Sequence, residues 1–385
     1  LSRWAVCAGE ASGDLIGARG LETFFSRNGP APVGIGGPRL REIGVETWFD
    51  CSELSVRGYV ETLRQLPRIL GIRRSFLDRL THSPPVAYFG IDAPDFNLGI
   101  EEALRASGVS TVQFVSPAIW AWRANRIEKI KRAVEHMLCI FPFEAALYKD
   151  TGVKALFVGH PLASDIPFAP DKQPARDRLG LTDGRPVLAI LPGSRASEIA
   201  ALGKDFLEVA IALAGEFQSV IPAATPSIEE RIQSLPNWPL AQAKGVRLLP
   251  QPQGAPPVSH LVMQAADIGL VASGTAALEM ALFGRPHLIA YRVPWLTYRL
   301  MKAQSQSRFI GLPNIILDAQ VVPEYIQENC NAAELIKGIQ GLQTHAGLYE
   351  STVERFSLLH SALQRDTPSL ISDYLEDAFK SCASA

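Results

Sequence analysis

The chain has 385 residues, which at ~150 residues per domain suggests two domains or three. Its 37 basic and 39 acidic residues give a formal charge of −2, too little positive excess for a nucleic-acid coat. With 47% hydrophobic and 20% charged residues it is too apolar for disorder, yet no apolar run approaches the ~18 residues that span a bilayer.

In chain order, Trp4–Ala8 reads as a first strand. It runs into Ala8-Gly9-Glu10-Ala11-Ser12-Gly13-Asp14, a turn where Ser12 or Asp14 would cap the next helix. Glu10 there is either a solvated side chain on a capped turn or a carboxylate used in chemistry. The turn is not GxGxxG, and no GxxxxGK[ST] occurs, so dinucleotide and P-loop sites lack their fingerprints. Val33–Ile35 is the next strand, closed by a tight glycine turn before Pro38.

Tyr59–Leu80 sets Leu63, Leu66, Ile69, Leu70, Ile72 and Phe76 at near-helical spacing, with arginines between them. Such a stripe is ordinarily a core helix with a solvated face. It also suits a membrane interface carrying anionic headgroups, and Pro67 and Gly71 would interrupt a regular helix.

Val86–Ile91 is a very apolar strand ending in Asp92-Ala93-Pro94-Asp95-Phe96-Asn97. Pro94 stiffens the turn and biases Ala93 away from helix, so Asp92 reads as a cap and Asp95 as a catalytic carboxylate. Thr111–Val115, Met137–Ile140 and Ala155–Val158 complete the first half. Pro161–Pro186, with five prolines, reads as a linker.

The second half repeats the plan, with strands expected at Val187–Leu191, Ser219–Ile221, Val246–Leu249, Ile268–Val271, His287–Ala290 and Asn314–Leu317. After the first of these, Pro192-Gly193-Ser194-Arg195 offers a hydroxyl and a planar guanidinium for phosphate oxygens, unless Arg195 merely pairs with Glu198. After Ile268–Val271, Ser273-Gly274-Thr275 opens an Ala-rich helix whose N-terminal N–H groups favour an anion. Glu279, one turn deeper, could accept both hydroxyls of a ribose. Donors first and an acceptor one turn later suit a nucleoside diphosphate.

Continuous apolar strands alternating with amphipathic helices predict an α/β fold of two Rossmann-like doubly wound domains facing across a cleft. The expected domains are 1–165, 166–350 and a helical tail, 351–385, that either caps the second domain or crosses back to the first. Five scattered cysteines give no CxxC and suit a reducing compartment. The seven histidines form no pair at metal-ligand spacing, so neither metal nor cofactor is expected. No signal peptide is expected from the opening residues.

Together these turns resemble the lipid-A-disaccharide synthase family, inverting glycosyltransferases of the B-type fold. The matching strings, in the family's order, are Ala8–Asp14, Gly90–Asn97, Ser116-Pro117-Ala118-Ile119-Trp120-Ala121-Trp122-Arg123, Phe157–Pro161, Leu191–Arg195, Ala272–Glu279 and Leu312-Pro313-Asn314. The tryptophan-rich string and Ser-Gly-Thr-Ala-Ala-Leu-Glu are the specific ones. A departure is Ser83-Pro84-Pro85-Val86, where relatives tend to carry an Asp before the strand.

The resemblance implies transfer of 2,3-diacylglucosamine from UDP to 2,3-diacylglucosamine 1-phosphate on the cytoplasmic face of the bacterial inner membrane, a step toward lipopolysaccharide. Asp95 would then be the general base, with Glu10 its rival or an orienter of the acceptor. Substrate contacts would come from Gly9, Ser12, Gly13, Asp92, Ser194, Arg195, Ser273, Gly274, Thr275, Glu279 and Asn314. Leu63, Leu66, Ile69, Leu70 and Ile72 would touch the membrane. The partners implied are a UDP-linked acylated sugar, an acylated sugar phosphate and the membrane surface, with no nucleic acid, and a homodimer is compatible with this. A UDP-sugar epimerase on the same plan, or a two-domain protein that only closes on a ligand, stands as the alternative.

Overall fold

A computed structural model describes residues 3–28, 31–54, 59–120, 125–252, 255–304 and 307–383, without the side chains of 59–65, 296, 300, 303–304 and 380–383. The chain forms two compact units, one of Leu1–Asp165 with Ala362–Ala385, the other of Ile166–Ser361.

The first unit is built on a parallel sheet of β1 (Ala5–Ala8), β2 (Val33–Gly36), β3 (Glu46–Asp50), β4 (Ala87–Ile91), β5 (Ser110–Phe114), β6 (His136–Cys139) and β7 (Lys154–Phe157), ordered β3-β2-β1-β4-β5-β6-β7. The second holds β8 (Val187–Leu191), β9 (Gln218–Pro222), β10 (Arg247–Leu249), β11 (Ile268–Ala272), β12 (His287–Tyr291) and β13 (Glu324–Ile326), ordered β10-β9-β8-β11-β12-β13. Both orders reverse once, between β1 and β4 and between β8 and β11. Neighbouring loops diverge there and leave a crevice at the strands' carboxyl ends, the usual ligand position in open α/β sheets. The central strands β1, β4, β8 and β11 are buried along their whole length, as their unbroken apolar sequence requires when helices cover both faces.

In the first unit, Phe76, Tyr88, Ile100 and Leu104 pack on one face of the sheet. On the other, Trp4, Phe24 and Phe89 meet Phe379 of the C-terminal helix Thr367–Ala383. In the second, Phe206, Phe217, Ile228, Leu270 and Leu335 share one core.

The structure differs from the sequence expectation at several elements. Glu46–Asp50 and Glu324–Ile326 are strands that the apolar runs did not reveal; both are half-buried edges carrying charged residues. Asn314–Leu317 is not a strand but part of a helix, Leu312–Leu317, whose first turn accommodates Pro313 because a proline there forfeits no intrahelical bond. The proline-rich stretch 161–186 carries the helices Pro161–Asp165 and Gln173–Leu179. The break between the two units falls within it, and in the second unit Lys172 and Arg176 pair with Asp267 while Arg285 donates to the Pro170 carbonyl.

Tyr59–His82 is one helix despite Pro67, and its stripe divides. Ile72 is buried with Phe76 and Leu80, and Ile69 leans on that core, which removes Ile72 from the expected membrane face. Leu66 and Leu70 remain 43% and 45% exposed. The Leu63 side chain lies outside the described residues.

Candidate active site

At the first switch point the turns after β1 and β4 pack against each other. Gly9 and Gly17 permit this: a Cβ on Gly9 would lie 2.5 Å from the Ala93 Cβ, and one on Gly17 2.3 Å from Ile91 Cδ1. Helix Ala11–Arg27 therefore settles onto the end of β4. Gly13 is buried in that contact, whereas Glu10, the helix N-cap residue, and Ser12 are exposed. Asp14 caps a different helix from the one expected. It is buried and accepts the N–H groups of Gly37 (2.6 Å), Arg39 (2.9 Å) and Leu40 (3.1 Å) at the start of Pro38–Glu42.

After β4, Asp92 and Ala93 both adopt left-handed backbone conformations, with φ of 50° and 43°. For Ala93 this costs on the order of 1 kcal/mol or more, and such strain persists only where surroundings over-determine it. Here the Asp92 carbonyl accepts Asn97 Nδ2 (2.9 Å) and Gln113 Nε2 (3.1 Å), while its N–H donates to the Phe114 carbonyl (2.9 Å). Tyr88 in turn donates its hydroxyl to Asn97 Oδ1 (2.8 Å).

The turn presents two carboxylates differently. Asp92 is half-buried, and burial together with the nearby Glu10 raises its pKa above the ordinary aspartate range. Asp95, in the first turn of helix Pro94–Ala106, is 80% exposed and ion-pairs with Arg126. The structure thus brings Glu10 to Asp92 and gives Asp95 a cationic partner that the sequence had not suggested.

Further along the sheet, Trp120 Nε1 donates to Glu144 Oε1 (3.2 Å), and Glu144 Oε2 accepts the N–H groups of Ile140 and Phe141 (3.2 and 3.0 Å). Burial lifts the Glu144 carboxyl to about 7 against the pull of these bonds. Ala121, Trp122 and Arg123 of the tryptophan-rich string lie outside the described residues.

The second switch point is set by β8 and β11, which pair directly. After β8, Gly193 has φ of 106°, and a Cβ there would fall 2.1 Å from Glu198 Oε2, so glycine is required. Glu198 accepts the Arg195 N–H (3.0 Å) and faces its guanidinium at 3.3 Å. That pair forms as the sequence allowed, but Arg195 is 70% exposed, and an exposed pair is worth ~0–1 kcal/mol, which leaves the guanidinium free to turn to a stronger anion. Ser194 beside it is exposed.

After β11, the N-cap residue of helix Thr275–Leu282 is Gly274, which has no side chain to cap it. Gly274 and Thr275 are exposed and Ser273 half-exposed, so the helix presents its N-terminus to solvent. Glu279 is largely covered, with Oε2 3.4 Å from His260 Nε2. His260, which packs edge-on to Phe283, was invisible to motif reading because it comes from a separate helix, Val258–Ala265.

The Asn314 side chain is turned into the fold. It is fully buried, with Nδ2 donating to the Val322 carbonyl and Glu324 (2.8 Å each) and Oδ1 accepting the N–H groups of Val321 and Val322 (2.8 Å each). All four hydrogen-bonding positions are spent on fastening a loop to β13.

Known proteins place this architecture. Solved structures with the same fold include UDP-GlcNAc 2-epimerase from Neisseria meningitidis bound to UDP-GlcNAc (TM-score 0.56, 14% identity, 98% of this chain and 99% of that one). Another is a UDP-glucosyltransferase from Polygonum tinctorium (TM-score 0.61, 13% identity, 98% of each chain). Epimerase and transferase share the fold, so fold alone does not separate them. Sequence does. A lipid-A-disaccharide synthase of Paraburkholderia phymatum is 43% identical over 374 residues, covering 95% of this chain and 93% of that one. With the lipid-A-disaccharide synthetase family model also matching residues 4–365, the chain belongs to that family and is a glycosyltransferase of lipid A biosynthesis.

Proposed function

We propose that the protein transfers a diacylated glucosamine from UDP to a diacylated glucosamine 1-phosphate, releasing UDP. The observation that carries this reading beyond family membership is the uncapped N-terminus at Gly274–Thr275, with Glu279 one turn deeper at a switch point. There the N–H groups after Ser273, with Ser194 and Arg195, stabilise the charge that develops on the departing diphosphate. Glu279 accepts the ribose hydroxyls.

Asp95 removes the proton from the acceptor's hydroxyl as it attacks the anomeric carbon from the face opposite the UDP. Its exposure at the end of β4 suits access by a substrate, and the ion pair with Arg126 orients it. Asp92 and Glu10 face the same substrate, with Gly9, Ser12 and Gly13 shaping the turn that receives it. A nearby carboxylate also favours the oxocarbenium character of the transition state.

Both substrates carry acyl chains, so the protein works at a membrane surface, here the inner face of the inner membrane. Leu66 and Leu70 are the exposed apolar contacts for it. Among the described residues no helix is long and apolar enough to cross a membrane.

The test is incubation with both acylated substrates, followed by mass spectrometry. The expected product is a disaccharide 1-phosphate, with UDP release dependent on the acceptor. UDP release without acceptor, and no disaccharide, would instead indicate epimerase-like chemistry.

A further inference from the structure

Beneath the Asp92–Asp95 turn lies a buried polar cluster that none of these roles uses. Cys7, Gly90 and Gln113 are laddered neighbours on β1, β4 and β5 and form one row across the sheet. The missing side chain of Gly90 leaves a gap in that row. Asn97 and Glu101, one turn apart on helix Pro94–Ala106, fill it from above. The point where a Gly90 Cβ would stand is 2.3 Å from Glu101 Oε1 and 2.6 Å from Gln113 Oε1, so these two oxygens converge.

Glu101 is completely buried, and among the described residues neither of its oxygens, nor Gln113 Oε1, has a hydrogen-bond partner. Three buried oxygens that accept no hydrogen bond are a costly arrangement unless a proton is present. Of the two side chains that supply these oxygens, only Glu101 can carry it. Gln113 cannot supply a donor by turning over. Its Nε2 is committed to the carbonyls of Asp92 (3.1 Å), Val115 (3.2 Å) and Phe114 (3.4 Å), and a flipped amide would point its oxygen at all three.

We propose that Glu101, in its neutral form, is a positioning residue for the transfer: its carboxylic proton binds Gln113 Oε1 and so keeps the Gln113 amide on the Asp92 carbonyl, holding the strained turn that presents Asp92 and Asp95. Burial raises the Glu101 carboxyl to about 8, opposed by Lys129 of helix Arg126–Ala133. The other titratable and charged groups packed around this helix are Cys7 on β1, Tyr88 on β4, Arg73 of helix Tyr59–His82, Arg126 and Arg132 of helix Arg126–Ala133, which pair with Asp95 and Glu102, and Glu10 and Asp92 at the turn. Burial drives the Cys7 thiol and the Tyr88 phenol far above their ordinary ranges, so neither ionises before Glu101.

The role assigned to Glu101 rests on reading that turn as part of the transfer site, so the test has one arm that needs no turnover. Infrared difference spectra of the wild type against Glu101→Gln at pH 7 should show a protonated carboxylic acid lost in the variant; its absence from the wild type overturns the proposal. In the kinetic arm, wild-type kcat should decline above about pH 8, where Glu101 ionises. Glu101→Gln, whose amide still donates, should keep near-normal kcat at pH 7 and lose that decline.

Glu101→Leu, with no donor, should reduce kcat by about ten- to a hundredfold, the order expected when reacting groups are misplaced, with KM for the UDP-sugar unchanged. An identical alkaline decline in Glu101→Gln, or full kcat in Glu101→Leu, overturns the proposal. If Glu101→Leu fails to fold, the Gln variant and the infrared band decide. Full activity in Asp92→Asn and Asp95→Asn would defeat the reading of the turn instead, and the infrared band would still decide whether Glu101 holds the proton.

Discussion

His260 Nε2 stands 3.4 Å from Glu279 Oε2, on two helices that meet behind the second switch point. The contact places an imidazole beside the carboxylate assigned to the ribose. Glu279→Ala should weaken UDP binding by about ten- to a hundredfold, the range for hydrogen bonds to a charged group. His260→Ala should change it only several-fold, since it removes a neighbour and not the acceptor. Titration calorimetry with UDP checks both; equal effects would make the pair, and not Glu279 alone, the binding element.

Asp95 and Asp92 should separate kinetically. Asp95→Asn should depress kcat by about a hundredfold or more, as loss of a general base does, with UDP affinity near normal. Because Asp95 is 80% exposed, the variant's stability should stay within ~1 kcal/mol of wild type by chemical denaturation. Normal turnover in Asp95→Asn, with loss of turnover in Asp92→Asn, would transfer the base to Asp92.

The helix Tyr59–His82 offers an internal control. Replacing the exposed Leu66 and Leu70 by Ser should lower association with anionic vesicles and leave the melting temperature nearly unchanged. Ile72→Ser buries a hydroxyl in the Phe76–Leu80 core and should destabilise by ~2 kcal/mol or more. Vesicle co-sedimentation beside thermal melts reads out both, and undiminished vesicle binding in the double variant would remove this face from the membrane.

Stability should fall as pH rises through the neutral range. Glu101 and Glu144 hold their protons in the folded chain up to about 8 and about 7, whereas an unfolded glutamate releases its proton near 4.5. Between those values the native state binds more protons than the unfolded state, so each rise in pH favours unfolding. Glu101→Gln should flatten its share of that decline between about pH 4.5 and 8 in urea midpoints. A decline as steep as that of the wild type would mean Glu101 is not neutral in the fold.

Much of this molecule was legible in its sequence, for a physical reason. Strands buried on both faces must be continuously apolar, so β1, β4, β8 and β11 announced themselves, and the glycine turns at their ends marked both switch points. Edge strands obey a weaker rule, which hid Glu46–Asp50 and Glu324–Ile326. Ile315-Ile316-Leu317 looked β-like because local composition could not register that Pro313 sits comfortably in a helix's first turn.

The site residues missed were those defined by tertiary contact: Arg126 on Asp95, His260 beside Glu279, Glu144 under Trp120. Glu101 did leave a trace. Asn97 and Glu101 interrupt the apolar face formed by Phe96, Ile100 and Leu104, and polar residues on a buried stripe mark a network beneath.

The central claim is that the second unit grips the donor's nucleotide at the β8–β11 switch point, and a crystal structure with UDP tests it most directly. The account predicts the diphosphate against the N–H groups of Gly274 and Thr275 with Arg195 swung onto it from Glu198, and the ribose hydroxyls on Glu279. Nucleotide density elsewhere, with Arg195 still on Glu198 and Glu279 untouched, would contradict it.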